Sequence, residues 1–234
     1  VDPTGMEAGN PSTHTDENGN VIAVFDDGDL GVYVHEGNKE QALAEVNKNY
    51  SATNKSAGGL EVGKSLHSLS FANQSLYNKT GQVRAAKIKI DFGSEELSNK
   101  VNEILNANPS IMEYANKAGG GGDWDIKSQV TNGSLLYGFY ASPRDAGNFA
   151  AGVFAEKSGI EAIVQFGYGA YNLTKNNIIS TGILTGTIAL TTLSFPPVGI
   201  AAGQYISKKG EGKLSQLSID LGKNFIKSGK KTAR

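Results

Sequence analysis

Apolar positions fall into short runs near the start of the chain and into helical stripes further along. Val21-Ile22-Ala23-Val24-Phe25 and Leu30-Gly31-Val32-Tyr33-Val34 are β-rich runs separated by Asp26-Asp27-Gly28-Asp29. A D-G turn between two such runs predicts a hairpin. Ala42, Leu43 and Val46 give 39–49 helical spacing, and the Ser/Asn/Gly-rich stretch 51–59 predicts a surface loop. From Val83 the grammar changes. Ala86-Lys87-Ile88-Lys89-Ile90-Asp91-Phe92 alternates with period two, as a half-buried strand does. Gly93-Ser94 then opens a helix in which Ser94 is the N-cap, Glu95 and Glu96 suit the first turn, and Leu97, Val101, Ile104 and Leu105 form the stripe. A shorter helix is expected over 110–117.

That helix must end at Gly119-Gly120-Gly121-Gly122, since four glycines hold neither helix nor strand. The run is either a slack hinge or a loop whose backbone approaches something closely. Asp123-Trp124-Asp125-Ile126-Lys127 follows, placing the single tryptophan beside two carboxylates and a lysine. It reads equally as an anchored strand with a solvated ion pair or as a site loop. Ser142-Pro143 is an N-cap with proline at the first helical position, so another helix starts there. Arg144 and Asn148 share a face of it, with Asp145 beside Arg144. Gly147, Ala151 and Gly152 would let another segment approach its backbone. The polar group is either a structural Arg–Asp pair or a constellation at a helix start that favours negative charge.

Composition narrows the chemistry. With a formal charge of −1 over 234 residues, no global positive field would hold nucleic acid. Without cysteine there is no disulfide, no thiolate nucleophile and no cysteine-based zinc site. His14, His35 and His67 are too far apart in sequence for an H-E-x-x-H metal motif, so neither metal nor cofactor is expected. His67, in the weakly apolar run of Leu66, Leu69 and Phe71, reads as a packed or surface histidine. Asp16, Asn18 and Asn20 have the oxygen spacing of a calcium loop, but Asp27 stands where a bidentate Glu belongs, and turn chemistry accounts for them. The first residues show no basic stretch followed by an apolar one, so no signal peptide is expected.

Two resemblances add to this. Asp2-Pro3-Thr4-Gly5-Met6 matches the D-P-x-G-[L/M] string that ends the cage of Rhs/YD-repeat polymorphic toxins, and the D-x-N-G-N run at 16–20 resembles their repeat strands. The resemblance implies a toxin piece released by self-cleavage from an Rhs shell, delivered into a neighbouring bacterial cell and paired with an immunity protein. The W-D-I-K block, followed by Arg144-Asp145-Ala146-Gly147-Asn148 and Gly152, resembles the polymorphic toxin type 44 group over roughly 110–175. Ala151 stands where that group usually has tyrosine, which puts any role of that tyrosine in doubt. Tyr168 and Tyr171 follow and could line the same cleft or pack in a core.

No charged residue lies between Lys175 and Lys208. About 20 helical residues span a bilayer core, so the length permits insertion. Recurrent Thr, Ser and Gly, with a break at Pro196-Pro197, point instead to two buried helices, about 177–193 and 198–207. The tail from 208 carries eight basic and two acidic residues with Leu214, Leu217, Leu221, Phe225 and Ile226 at helical spacing, a basic amphipathic helix.

The expected architecture is α+β: a junction at 1–9, a β-hairpin and linker-rich segment at 10–82, and a mainly helical toxin domain at 83–234. The expected activity is that of an envelope-directed hydrolase acting on peptidoglycan in the periplasm. Asp125 and Asp145 would be its acid/base groups, with Trp124, Lys127, Arg144 and Asn148 holding substrate. A membrane pore former using 176–207 and a nuclease using Lys127, Arg144, Asp145 and the tail are the alternatives.

Overall fold

The computed structural model describes residues 11–67, 69–158 and 213–228. The fold is α+β, a small N-terminal sheet followed mainly by helices. The proposed junction at Asp2–Met6, the uncharged stretch 176–207, Tyr168 and Tyr171 lie outside the described residues. No described helix is long and apolar enough to cross a membrane. The chain divides into two compact units, residues 1–100 with 126–146, and residues 101–125 with 147–234.

The first unit is built on a four-stranded sheet of order β2-β1-β3-β4, from β1 (Pro11–Thr15), β2 (Val21–Asp26), β3 (Gly31–Val34) and β4 (Leu60–Lys64). The hairpin predicted between Val21–Phe25 and Leu30–Val34 does not form. β1 lies between those two strands, antiparallel to β2 and parallel to β3. The tight turn sits one strand earlier, at 16–20, where Asp16 Oδ1 accepts from the Asn18 and Asn20 amides and Oδ2 from Asn20 Nδ2. The D-D-G-D segment is instead a bridge over the start of β1. Asp27 accepts the Ser12 amide at 3.0 Å and the Ser12 hydroxyl at 2.7 Å, tying the segment to that strand.

Helix α1 (Lys39–Asn49) follows with a reciprocal capping box between Asn38 and Gln41. It buries Ala42 and Val46 against Ile22, Ala23 and Ala57, with Phe25, Leu43 and Tyr50 at the margin. Complete burial of a side chain such as Val46 stabilises by roughly 1.5–3 kcal/mol. After β4 and the short helix α2 (Gln74–Thr80), the alternating segment 86–92 keeps its predicted half-burial: Ile90 is buried, while Lys87 and Lys89 are exposed. It is joined to its neighbours by single bridges rather than a ladder. Ile90 N donates to Gly19 O and Gly133 N to Lys89 O, both at 2.8 Å. Helix α3 (Glu96–Ala107) starts beneath the hairpin of β5 (Ser134–Leu136) and β6 (Phe139–Ala141), where the Leu97 amide donates to Ser134 Oγ. The hairpin turn puts Tyr137 and Gly138 both at positive φ, 51° and 94°, as a two-residue primed turn requires.

The second unit contains helix α4 (Ile111–Ala118), capped by Ser110, the glycine loop, the body of α6 (Pro143–Ser158) and helix α7 (Lys213–Lys227). Tyr114 stacks on Phe154 with ring centroids 4.0 Å apart. Two glycines set the approach of α6 to α7. A Cβ on Gly152 would run into the Ile219 carbonyl, and one on Gly222 into the Phe149 carbonyl. Of the small residues on α6, Gly152 therefore meets another backbone, whereas Gly147 faces open space.

Candidate functional site

Short helix α5 (Ile126–Gln129) and the start of α6 belong to the first unit, and with them Lys127, Arg144 and Asp145. Ser142 caps α6. Its carbonyl receives the Ala146 amide at 3.0 Å, and its Oγ receives the Asp145 amide at 3.3 Å. The same hydroxyl donates to Asp145 Oδ2 at 2.7 Å. A carboxylate in the first helical turn is further favoured by the positive end of the helix dipole.

The other oxygen, Asp145 Oδ1, lies 3.1 Å from His67 Nε2. The Leu69 amide donates to His67 Nδ1 at 3.2 Å, so that nitrogen carries a lone pair and the ring proton sits on Nε2, pointing at Asp145. His67 is thus a neutral donor. Both groups are buried, at 8% and 4% exposure, and Ser142 is the half-buried member of the three. The order is Ser→Asp←His. A hydrolase triad needs histidine in the middle, taking the hydroxyl proton, so Ser142 is not an activated nucleophile in this arrangement. What the arrangement supplies is a buried carboxylate that accepts from the His67 ring and from a hydroxyl that can rotate. Arg144 is exposed beside it and donates through a guanidinium nitrogen to Gln74 Oε1 at the start of α2. Lys127 is exposed on α5.

Trp124, Asp125 and Asn148 belong to the second unit. Trp124 is buried, its amide donating to Lys117 O at 2.8 Å and its ring lying 4.6 Å beneath Lys117 Nζ. Asp125 is buried too, and its Oδ2 accepts the Gly121 amide at 2.8 Å while its own amide donates to Gly122 O. The tetraglycine is the close-approach loop of the two alternatives: Gly121 takes φ 82°, and a Cβ on Gly122 would strike the Lys117 carbonyl. Asn148 is buried and its Nδ2 has no hydrogen-bond partner. Arg144, Asp145 and Asn148 share helix α6 as the spacing predicts.

His67 is the residue that spacing could not supply. It stands 78 positions from Asp145, in a run whose apolar neighbours suggest only packing. Among the described residues no group of three or more His, Asp or Glu side chains is arranged to hold a metal ion. Comparison with protein families, with curated proteins and with solved structures finds no match to this chain.

Proposed function

We propose that this chain is the toxin piece of an Rhs/YD-repeat polymorphic toxin, an antibacterial effector that hydrolyses a cell-envelope polymer of the peptidoglycan class. The observation that carries the chemical part is the buried Asp145 carboxylate, held between neutral His67 and Ser142 at the start of α6 with an exposed arginine next to it. In this reading Asp145 is the base. A water at Ser142 passes a proton through Ser142 Oγ to Asp145 Oδ2 as its oxygen attacks the scissile bond, and the same proton returns to the leaving group as that bond breaks, while His67 keeps the carboxylate fixed. Arg144 stabilises the negative charge that develops outside. Asp125 holds the glycine loop within its own unit, and Lys127 orients substrate. Release from an Rhs shell, delivery to the periplasm of a neighbouring cell and neutralisation by an immunity protein complete the proposal. The near-neutral charge of the chain suits a sugar polymer better than nucleic acid.

The test is expression in bacteria with and without an export signal, comparing wild type with Asp145→Asn. Killing that requires export, releases soluble wall fragments and is lost in folded Asp145→Asn supports the reading. Killing confined to the cytosol, or a folded Asp145→Asn that still kills, rejects it.

A further inference from the structure

A second histidine cluster lies inside the N-terminal sheet, and the hydrolase reading does not use it. His14 on β1 and His35 just after β3 are completely enclosed, at 0% and 1% exposure, with His14 Nδ1 and His35 Nε2 3.0 Å apart. The protons in this chain can be assigned from one end. Asp27 Oδ2 accepts from Ser12 Oγ at 2.7 Å and from the Tyr50 hydroxyl at 3.0 Å. The single Ser12 hydroxyl proton is therefore committed to Asp27. The 3.2 Å contact between Ser12 Oγ and His14 Nε2 then needs its proton from His14. With Nε2 protonated, neutral His14 accepts at Nδ1, so His35 donates from Nε2 and is left with a bare Nδ1.

That last nitrogen has no hydrogen-bond partner, and Glu45 Oε2 of α1 lies 3.8 Å from it. The network is one proton short at a defined atom, next to a carboxylate that is 41% exposed and so in touch with solvent. The rings are packed closely by their neighbours. Phe25 meets His14 edge-on from β2, Tyr33 stacks on it from β3, and a Cβ on Gly59 would press on His35 at 2.7 Å. The charged groups facing the pair are Asp27 and Asp29 from the bridge after β2 and Glu45 from α1.

We propose that His14 and His35 form an acid-released lock on the N-terminal sheet, in which a first proton enters through Glu45 onto His35 Nδ1 and a second, on His14, breaks the pair and opens the sheet. The first proton is accommodated, because imidazolium His35 still donates to His14 and gains Glu45 as a partner. The second has no place. A proton on His14 Nδ1 would set two N–H groups against each other across the 3.0 Å contact.

Burial, and secondarily His35, pushes His14 down from 6.5 to about 4, and burial lowers His35 against the opposing pull of Glu45. Between about pH 6.5 and about pH 4 the unfolded chain therefore takes up protons that the folded sheet refuses. Stability is complete above that window, falls as pH falls through it, and levels off below it. The His14 shift alone raises the unfolding constant about 60-fold at about pH 4.5 relative to pH 7.

Imidazole nitrogen NMR on the intact chain tests this together with unfolding midpoints from neutral pH to about pH 4.5, in wild type and Glu45→Gln. The expected result is Nε2–H on both rings at neutral pH. His35 should titrate below the ordinary histidine range, and lower still in Glu45→Gln, with a midpoint that drops in acid. A Nδ1 proton on His35 at neutral pH, a His35 titration indifferent to Glu45→Gln, or an acid-insensitive midpoint overturns the lock. None of these readouts depends on toxicity, so the lock and the hydrolase reading stand or fall separately.

Discussion

The first unit buries histidine twice, and the two burials differ in how their protons are arranged. His67 has both ring nitrogens engaged, donating to Asp145 and accepting from the Leu69 amide, so its neutral state is complete. His35 has one nitrogen engaged and one bare beside Glu45. Both rings are shielded from solvent, yet only the second has an unfilled position for a proton. Burial raises the cost of charging His35. Whether a ring can respond to acid depends on whether its last lone pair is already spoken for.

Removing His14 should have the largest effect, because it is the middle of the longer chain. His14→Ala leaves His35 Nε2 without an acceptor and opens a cavity among Phe25, Tyr33 and Tyr50. Truncating a buried aromatic ring typically costs about 3–5 kcal/mol, and chemical denaturation at neutral pH should show a loss in that range. A loss under about 1 kcal/mol would mean the sheet does not depend on the network, and the contrast with His67 would lose its footing.

That strand also shows what was legible beforehand. Helices α1 and α3 are readable from apolar residues at helical spacing, α4 from the glycine run that ends it, and α6 from Ser142 followed by a proline at its first position. β1 is not. Its Ser12-Thr13-His14-Thr15 sequence carries no hydrophobic alternation, although all four residues are buried and the strand sits inside the sheet. Its burial is satisfied by hydrogen bonds rather than by apolar surface, and hydropathy cannot detect that. Missing β1 led directly to pairing β2 with β3. At the site, Ser142 as cap and the shared face of Arg144 and Asn148 follow from spacing. The His67 partner does not, since only the fold closes a gap of 78 residues. Gly152 was readable as a close-packing position, but not the identity of the Ile219 carbonyl that requires it.

The next effect in size concerns Asp145, and two substitutions separate its roles. Asp145→Ala strips His67 Nε2–H and the Ser142 hydroxyl of their acceptor, and a buried donor left unsatisfied costs about 1–3 kcal/mol. Asp145→Asn keeps an oxygen for His67, and its amide can donate to Ser142 Oγ, so its thermal midpoint should stay nearer wild type. Under the proposed chemistry both variants stop killing, because an amide cannot take up the proton. Equal destabilisation by Ala and Asn would show that the negative charge itself holds the fold, and would make Asp145 a structural group.

The smallest expected effect is the sharpest check on the proton assignment. At neutral pH, with His35 Nδ1 bare, the nearby Glu45 carboxylate meets a lone pair and gains nothing from it. Glu45→Gln replaces that carboxylate with an amide that can donate to the bare nitrogen. A half-exposed hydrogen bond of this kind is worth about 0.5–1.5 kcal/mol at most, and the flexible side chain reduces the gain. The substitution should therefore raise the unfolding midpoint slightly at about pH 7.5, where the wild-type pair is fully neutral. In acid the sign reverses, because protonated His35 loses the carboxylate that would accept from it, so the two midpoint curves should cross as pH falls. A Glu45→Gln variant that is less stable than wild type at every pH would mean that Nδ1 already carries a proton at neutrality. The two histidine clusters would then both be saturated, and the difference between them would disappear.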